Sequence, residues 1–472
     1  MTTDKSELFA QRLNRYVTAG RNLKPDRVPL RPFAAEFTAA HCGMSCQEVT
    51  HDYNKAFEAV IRCCNDYDWD AVVPNMVYVW TGLAQTASLR YYAIPGIDIP
   101  ADVAFQYREP ANDNAWMKRE EYDQLIEDPV RFLYEIWYPR VAAELAPVGE
   151  PHTFRHNLAL VKSTWAMASY FSAFGPQLER MKTECGTPSS ICGMLKAPLD
   201  VLGDKFRGYV GLAFDLMEIP EKVEAACHAL MPHLQWIAHS GLDPTQNIPI
   251  PIWMHRGCVP FISHEHFNRL YWPTLKPIVE SIWERGNQVL FYAEGKWDAH
   301  LDAFAELPAG SIIYHIDRGD PVLTHQKLGN RFCTSGGVPN ALLFLGTPDQ
   351  VRDRCKFLID TLGAEGGYIM DASAIMQNDA KAENVRAMTD FTREYGVYSS
   401  QPNSSVPPPP PANRPKAPVP VIPRVPAGVC FPWEEKLKDL PPIPGDPMLA
   451  RRIYEDLDAL AYVYIWHMVL SF

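Results

Sequence analysis

Acids, imidazoles and guanidinium groups recur in this 472-residue chain directly after short apolar runs. His255-Arg256-Gly257-Cys258 follows IPIPIWM, and Glu294-Gly295-Lys296 follows QVLFYA. His315 sits inside SIIYHI, which leads to Asp317-Arg318-Gly319-Asp320, and GGYIMDA carries Asp371 before Ser373. Earlier runs offer Glu36, Asn75 and Lys196. Carboxylates such as Glu294 and Asp371 can move a proton or clamp a substrate. His315, with Asp317 to orient it, is the pair whose charge changes near neutral pH. Arg256 and Arg318 match the geometry of a carboxylate. His255, Asn75 and Tyr292 complete the candidate binding set.

Each residue also has a purely structural explanation. A His-Ile-Asp triplet can lock a strand end by hydrogen bonding, and a strand-end Arg can pair with a neighbouring acid. Cys258 and Cys333 read as small apolar fillers, because free cysteine is usually buried. Glu294 is the hardest to explain this way, since an acid is costly to bury without a partner.

Such groups converge only if the runs before them share one end of one sheet. Candidate strands cover 28–34, 70–76, 189–197, 248–254, 288–293, 311–316, 331–336 and 366–372, with amphipathic helical patterns between most of them. Short strands alternating with helices imply parallel pairing through right-handed crossovers. Eight of them predict an α/β fold of the (β/α)8 TIM-barrel type, whose active sites lie at the C-terminal strand ends. No GxGxxG or GxxxxGK[ST] supports a doubly wound nucleotide-binding sheet. Residues 77–180 are less regular and aromatic-rich, and read as an insertion over the barrel mouth. The barrel is expected to span 1–400.

Sixteen of the 42 prolines fall in 401–450, so 401–445 reads as a Pro-rich extended linker. Residues 446–472 read as a helix, with Asp446 as its cap, Pro447 in its first turn and an apolar final half. That half suits docking on the barrel or on a second subunit, or binding to a partner or membrane surface. It is too short to span a bilayer, and no window reaches the length of a spanning helix.

The net charge is −12, which disfavours nucleic acid and anionic lipid as partners. Eleven scattered cysteines without a CxxC pair suggest a reducing compartment. The N-terminus lacks the apolar block of a signal peptide, so a cytoplasmic protein is expected.

ISHEHFNRLYWPTLKPIVESIWERG, GGVPNALLFLGTPDQVRDRCKFLIDTLGAEGGYIMDASAIMQNDAKAENVRAM, GMLKAPLDVLGDKFRGYVGLAFDLMEIPEKV and KPDRVPLRPF together resemble the uroporphyrinogen decarboxylase superfamily. The resemblance covers roughly 20–400 and implies a (β/α)8 barrel. That family holds two chemistries: decarboxylation of tetrapyrrole acetate groups, and methyl transfer to or from a corrinoid protein or a thiol, often with zinc. The segments expected to hold a porphyrinogen read RPFAAEF and PNMVYVW here, with only Arg31 nearby, which counts against that substrate. Where thiol methyltransferases carry His-x-Cys-Gly and a later Cys as zinc ligands, this chain has Tyr292-Ala293-Glu294-Gly295 and Ser373-Ala374. A thiolate zinc site is therefore not supported. A harder metal site from Glu294, His315, Asp317 or Asp371 stays open.

The resemblance thus implies a methyltransferase or demethylase working with a corrinoid on a separate carrier protein, with a small, carboxylated, methylated substrate. The alternatives are a metal-free decarboxylase or lyase and a non-catalytic scaffold. Decarboxylases of the family pair as dimers, so a homodimer is expected.

Overall fold

The computed structural model describes residues 4–74, 80–108, 115–398 and 425–471. Asn75 lies outside them. A two-stranded ribbon pairs β1 (Tyr92–Ala93) with β2 (Gln106–Tyr107). The central sheet has six parallel strands in sequential order: β3 (Leu195–Lys196), β4 (Ile250–Met254), β5 (Val289–Ala293), β6 (Ile312–Ile316), β7 (Cys333–Gly336) and β8 (Tyr368–Ile369). The strands β4 to β8 are buried along their whole length, as expected of a parallel sheet covered by helices.

Single bridges complete the ring. Arg31 N–H donates to the Met370 carbonyl (3.1 Å) and Met370 N–H to that of Pro29 (2.9 Å), joining β8 to the segment around Leu30. Asp70 N–H donates to Leu30 (2.9 Å), and Ser190 N–H donates to Val72 (2.8 Å). Cys192 N–H then reaches Pro249 (3.1 Å), just before β4. The eight segments read as strands in the sequence thus follow one another around a TIM-type barrel.

The first two pair only locally. The buried Asp70 carboxylate, gripped by Arg15 and Arg27, takes the Leu30 N–H where a longer ladder would run.

One end of the barrel is closed by the helix Lys5–Gly20. The Tyr16 hydroxyl donates to the Ser190 carbonyl (2.9 Å), and Gly20 lies so close to Ile313 that a Cβ there would stand 3.2 Å from its side chain. The lumen is filled by Phe33, Trp253, Leu290, Tyr292, Ile313 and Ile369.

The insertion holds more helix than its composition suggests. Its longest helix, Phe154–Ser172, is started by a Thr153 capping box. The ribbon β1–β2 carries Tyr91, Tyr92, Phe105 and Tyr107 to the strand ends. Residues Pro447–Ser471 form one 25-residue helix. No helix among the described residues is long and apolar enough to cross a membrane.

Candidate active site

A cavity of about 500 Å³ opens at the C-terminal ends of the strands. That is the size of a small-molecule site. Its polar wall comes from β3 and the turn after it (Lys196, Asp204, Lys205), from the residues after β4 (His255, Arg256), and from those after β5 and β6 (Glu294, Asp317, Arg318). Aromatic rings form much of the rest, including Tyr91, Tyr107, Tyr209 and Trp253.

Asp204 organises this wall. It sits on a wide helical turn, Leu202–Arg207, directly after the short helix Pro198–Val201. Its carboxylate accepts from Lys196 Nζ (2.6 Å), His255 Nδ1 (2.7 Å) and Arg256 Nε. Its main-chain carbonyl accepts from the Tyr91 and Tyr107 hydroxyls, which ties the ribbon to the barrel. One turn earlier, the fully buried Asp200 accepts the main-chain N–H groups of His255 (3.1 Å) and Arg256 and the Tyr271 hydroxyl (2.8 Å). The four-residue spacing of Asp200 and Asp204 puts both on one helical face. The first holds the backbone of the His-Arg pair and the second holds its side chains. Gly257 follows because a Cβ would stand 2.7 Å from Tyr271 and Trp297.

His255 bridges two acids, with Nε2 3.3 Å from Glu294 Oε2. Burial and the Lys196 ammonium oppose its protonation, but Asp204 and Glu294 overcome both and raise its pKa to about 10. It is therefore an imidazolium at neutral pH. Burial alone would raise the Glu294 pKa, and the His255 cation brings it below its ordinary value. Asp317 lies beside them. Its carboxylate accepts Gly295 N–H (2.8 Å), while burial and then Glu294 push its pKa up. Gly295 has φ +98° and passes Cys258 Sγ at a distance that excludes a side chain, so Glu-Gly is the pair this turn requires.

Two arginines differ in setting. Arg256 is buried over the Tyr209 ring, and its Nη1 has no hydrogen-bond partner among the described residues. The Arg318 side chain is 81% exposed at the mouth. Lys205 is buried with its Nζ 4.0 Å from the Tyr91 ring centre. Burial, followed by the neighbouring Lys196 charge, lowers its pKa well below the usual lysine range.

The sequence candidates thus divide. His255, Arg256, Glu294, Asp317 and Arg318 meet on the cavity wall. His315, Asp371 and Tyr292 do not line it; they form a closed cluster with Arg31 in the barrel lumen. Arg31 Nη2 approaches Asp371 Oδ2 (3.2 Å), Ser335 Oγ (2.9 Å) and His315 Nδ1 (3.2 Å). His315 Nε2 meets the Ser373 carbonyl (3.0 Å), and its ring stacks on Tyr292 at 4.4 Å. The expected pairing of His315 with Asp317 is not made. Asp317 turns toward Gly295, while burial and then the Arg31 charge lower the His315 pKa well below the usual value and hold it neutral. Burial outweighs the Arg31 charge at Asp371 and raises its pKa to about 7.

A metal site combining Glu294, His315, Asp317 and Asp371 would have to bridge the two clusters. Among the described residues no three His, Cys, Asp or Glu stand together as a metal site.

Sequence reasoning missed Asp200, Asp204, Lys205 and the aromatic wall. The only sequence signal was the D-x3-D-K spacing in PLDVLGDK.

A (β/α)8 barrel with convergent acids and bases at its strand ends defines the class of this protein. Residues 178–395 match the model of the family described as "Uroporphyrinogen decarboxylase (URO-D)". This segment, somewhat under half of the chain, is similar to that family. A solved methyltransferase from Methanosarcina mazei is similar in structure, with a TM-score of 0.52 and 12% identity over 81% of this chain and 98% of that one. At that identity the likeness concerns the fold. No curated protein matches the chain.

Proposed function

We propose that this chain is a methyltransferase that demethylates a small methylated carboxylate, with a corrinoid on a separate carrier protein as the methyl acceptor. The observation that carries the reading is His255, held as a cation between Asp204 and Glu294 on the wall of an aromatic-lined cavity. Breaking a methyl–oxygen or methyl–nitrogen bond is easier when the departing heteroatom receives a proton. The His255–Glu294 pair can deliver one at neutral pH. Asp317 beside it can take part in reloading the pair. Arg256 Nη1, which has no hydrogen-bond partner among the described residues, and the exposed Arg318 supply donors for a carboxylate, and the tyrosines hold the apolar body.

A corrinoid supplies a cobalt centre that accepts the methyl group. A cavity of about 500 Å³ suits the substrate and not the much larger corrinoid, which fits a cofactor that stays on its carrier at the mouth.

The test is to mix the protein with cob(I)alamin and panels of methoxy- and methylamino-carboxylates, and to follow the cobalamin absorbance. Conversion to methylcobalamin with one panel member, abolished by Glu294→Gln, is expected. No conversion with any of them, with cell extract supplying the carrier, would refute the proposal. Metal-free decarboxylation is the second reading, favoured by the family match, with the same proton going to carbon. Release of carbon dioxide without methyl transfer would select it.

A further inference from the structure

The helix Pro447–Ser471 lies outside the family match, yet its last turns reach the cavity. Leu470 is buried and lines the cavity together with Lys205 and Tyr209. Burial is confined to the second half of the helix. Tyr462, Ile465, Trp466 and Val469 are fully enclosed, whereas Leu449, Ile453 and Leu457 remain more than 60% exposed.

Three polar contacts fix this half in place. The Tyr464 and Tyr138 hydroxyls meet at 2.5 Å, the Tyr462 hydroxyl meets His233 Nδ1 at 2.7 Å, and the Tyr134 hydroxyl donates to the Ala461 carbonyl at 2.7 Å. Trp466 also stacks on His233. The docking platform is itself tied to the site, because Trp137, next to Tyr138, donates from Nε1 to the Lys205 carbonyl (2.8 Å). Buried hydroxyl and imidazole groups need defined partners, so they fix the axial position of the helix more tightly than apolar packing alone.

We propose that this helix completes the cavity and that Leu470 is its size-limiting, specificity-determining wall. The polar wall selects charge and supplies protons. Leu470 selects bulk, excluding molecules that would displace it from the cavity wall that it shares with Lys205. The proposal rests on reading the cavity as a substrate site, but its test does not depend on methyl transfer.

Lys205 reports on access to the cavity. The rate at which trinitrobenzenesulfonate modifies it is mapped by peptide mass spectrometry, with exposed Lys438 as internal reference. Because burial and Lys196 hold the Lys205 pKa below the usual lysine range and favour the reactive neutral amine, the ratio is compared between parent and variant, where that effect cancels. Leu470→Ala should raise the Lys205/Lys438 ratio roughly tenfold, the change produced by about 1.4 kcal/mol of eased opening. Leu470→Val, a milder truncation that keeps the fold, should raise it less. A ratio unchanged in both variants would overturn the proposal.

Discussion

Replacing Asp204 with Asn removes the negative charge shared by Lys196, His255 and Arg256 while keeping the side chain's shape. Raising His255 from the usual 6.5 to about 10 corresponds to about 5 kcal/mol of preference for the imidazolium. Asp204 makes the shorter of its two acid contacts, 2.7 Å against 3.3 Å for Glu294. Without it, burial and Lys196 both act against protonation, and the His255 pKa should fall to 6.5 or below. Because the folded-state pKa is raised, the stabilising effect is fully present below pH 6.5 and is lost as pH climbs toward 10. In the Asn variant that alkaline loss should disappear. Overall stability should also drop by about 3–5 kcal/mol, as when a buried ion pair loses one partner. The assay is a titration of the histidine Cε1–H signals by heteronuclear NMR, with His255 assigned from a His255→Asn spectrum. A His255 that titrates near 6.5 in the parent, or identically in the variant, would refute the reasoning.

Other perturbations separate site from scaffold. His255→Gln should retain substrate binding and lose turnover by roughly 10²- to 10⁴-fold, the usual contribution of general acid catalysis, as seen in kcat against KM. Arg31→Met leaves Asp371 buried without its cation and should lower stability by about 3–5 kcal/mol in urea unfolding, with the cavity's ligand affinity unchanged. Tyr138→Phe and Tyr464→Phe should each cost about 1–2 kcal/mol, and the double variant less than their sum, because each single change takes one partner from the other buried hydroxyl.

Much of this protein is written in local pattern. The eight apolar runs were legible because a strand buried on both faces must be apolar throughout, and their alternation with helical periods points to a barrel. His255, Arg256, Glu294, Asp317 and Arg318 were legible because a barrel strand's C-terminal end faces the mouth whatever the details of packing.

Position along the strand is what sequence could not decide. His315 and Asp371 lie off the cavity wall, where Arg31 and Ser335 from other strands close over them. Asp317, two residues beyond His315, turns to a glycine of the neighbouring loop. Asp204 could not be recognised as the organiser, because its cationic partners, Lys196 on β3 and the adjacent His255 and Arg256 after β4, meet it only when β4 pairs beside β3. The aromatic wall and Leu470 arrive from still farther along the chain, through an insertion and a terminal helix whose placement depends on buried hydroxyl contacts. Periodicity fixes which face of an element is buried. Which distant side chain it is buried against is a property of the assembled barrel.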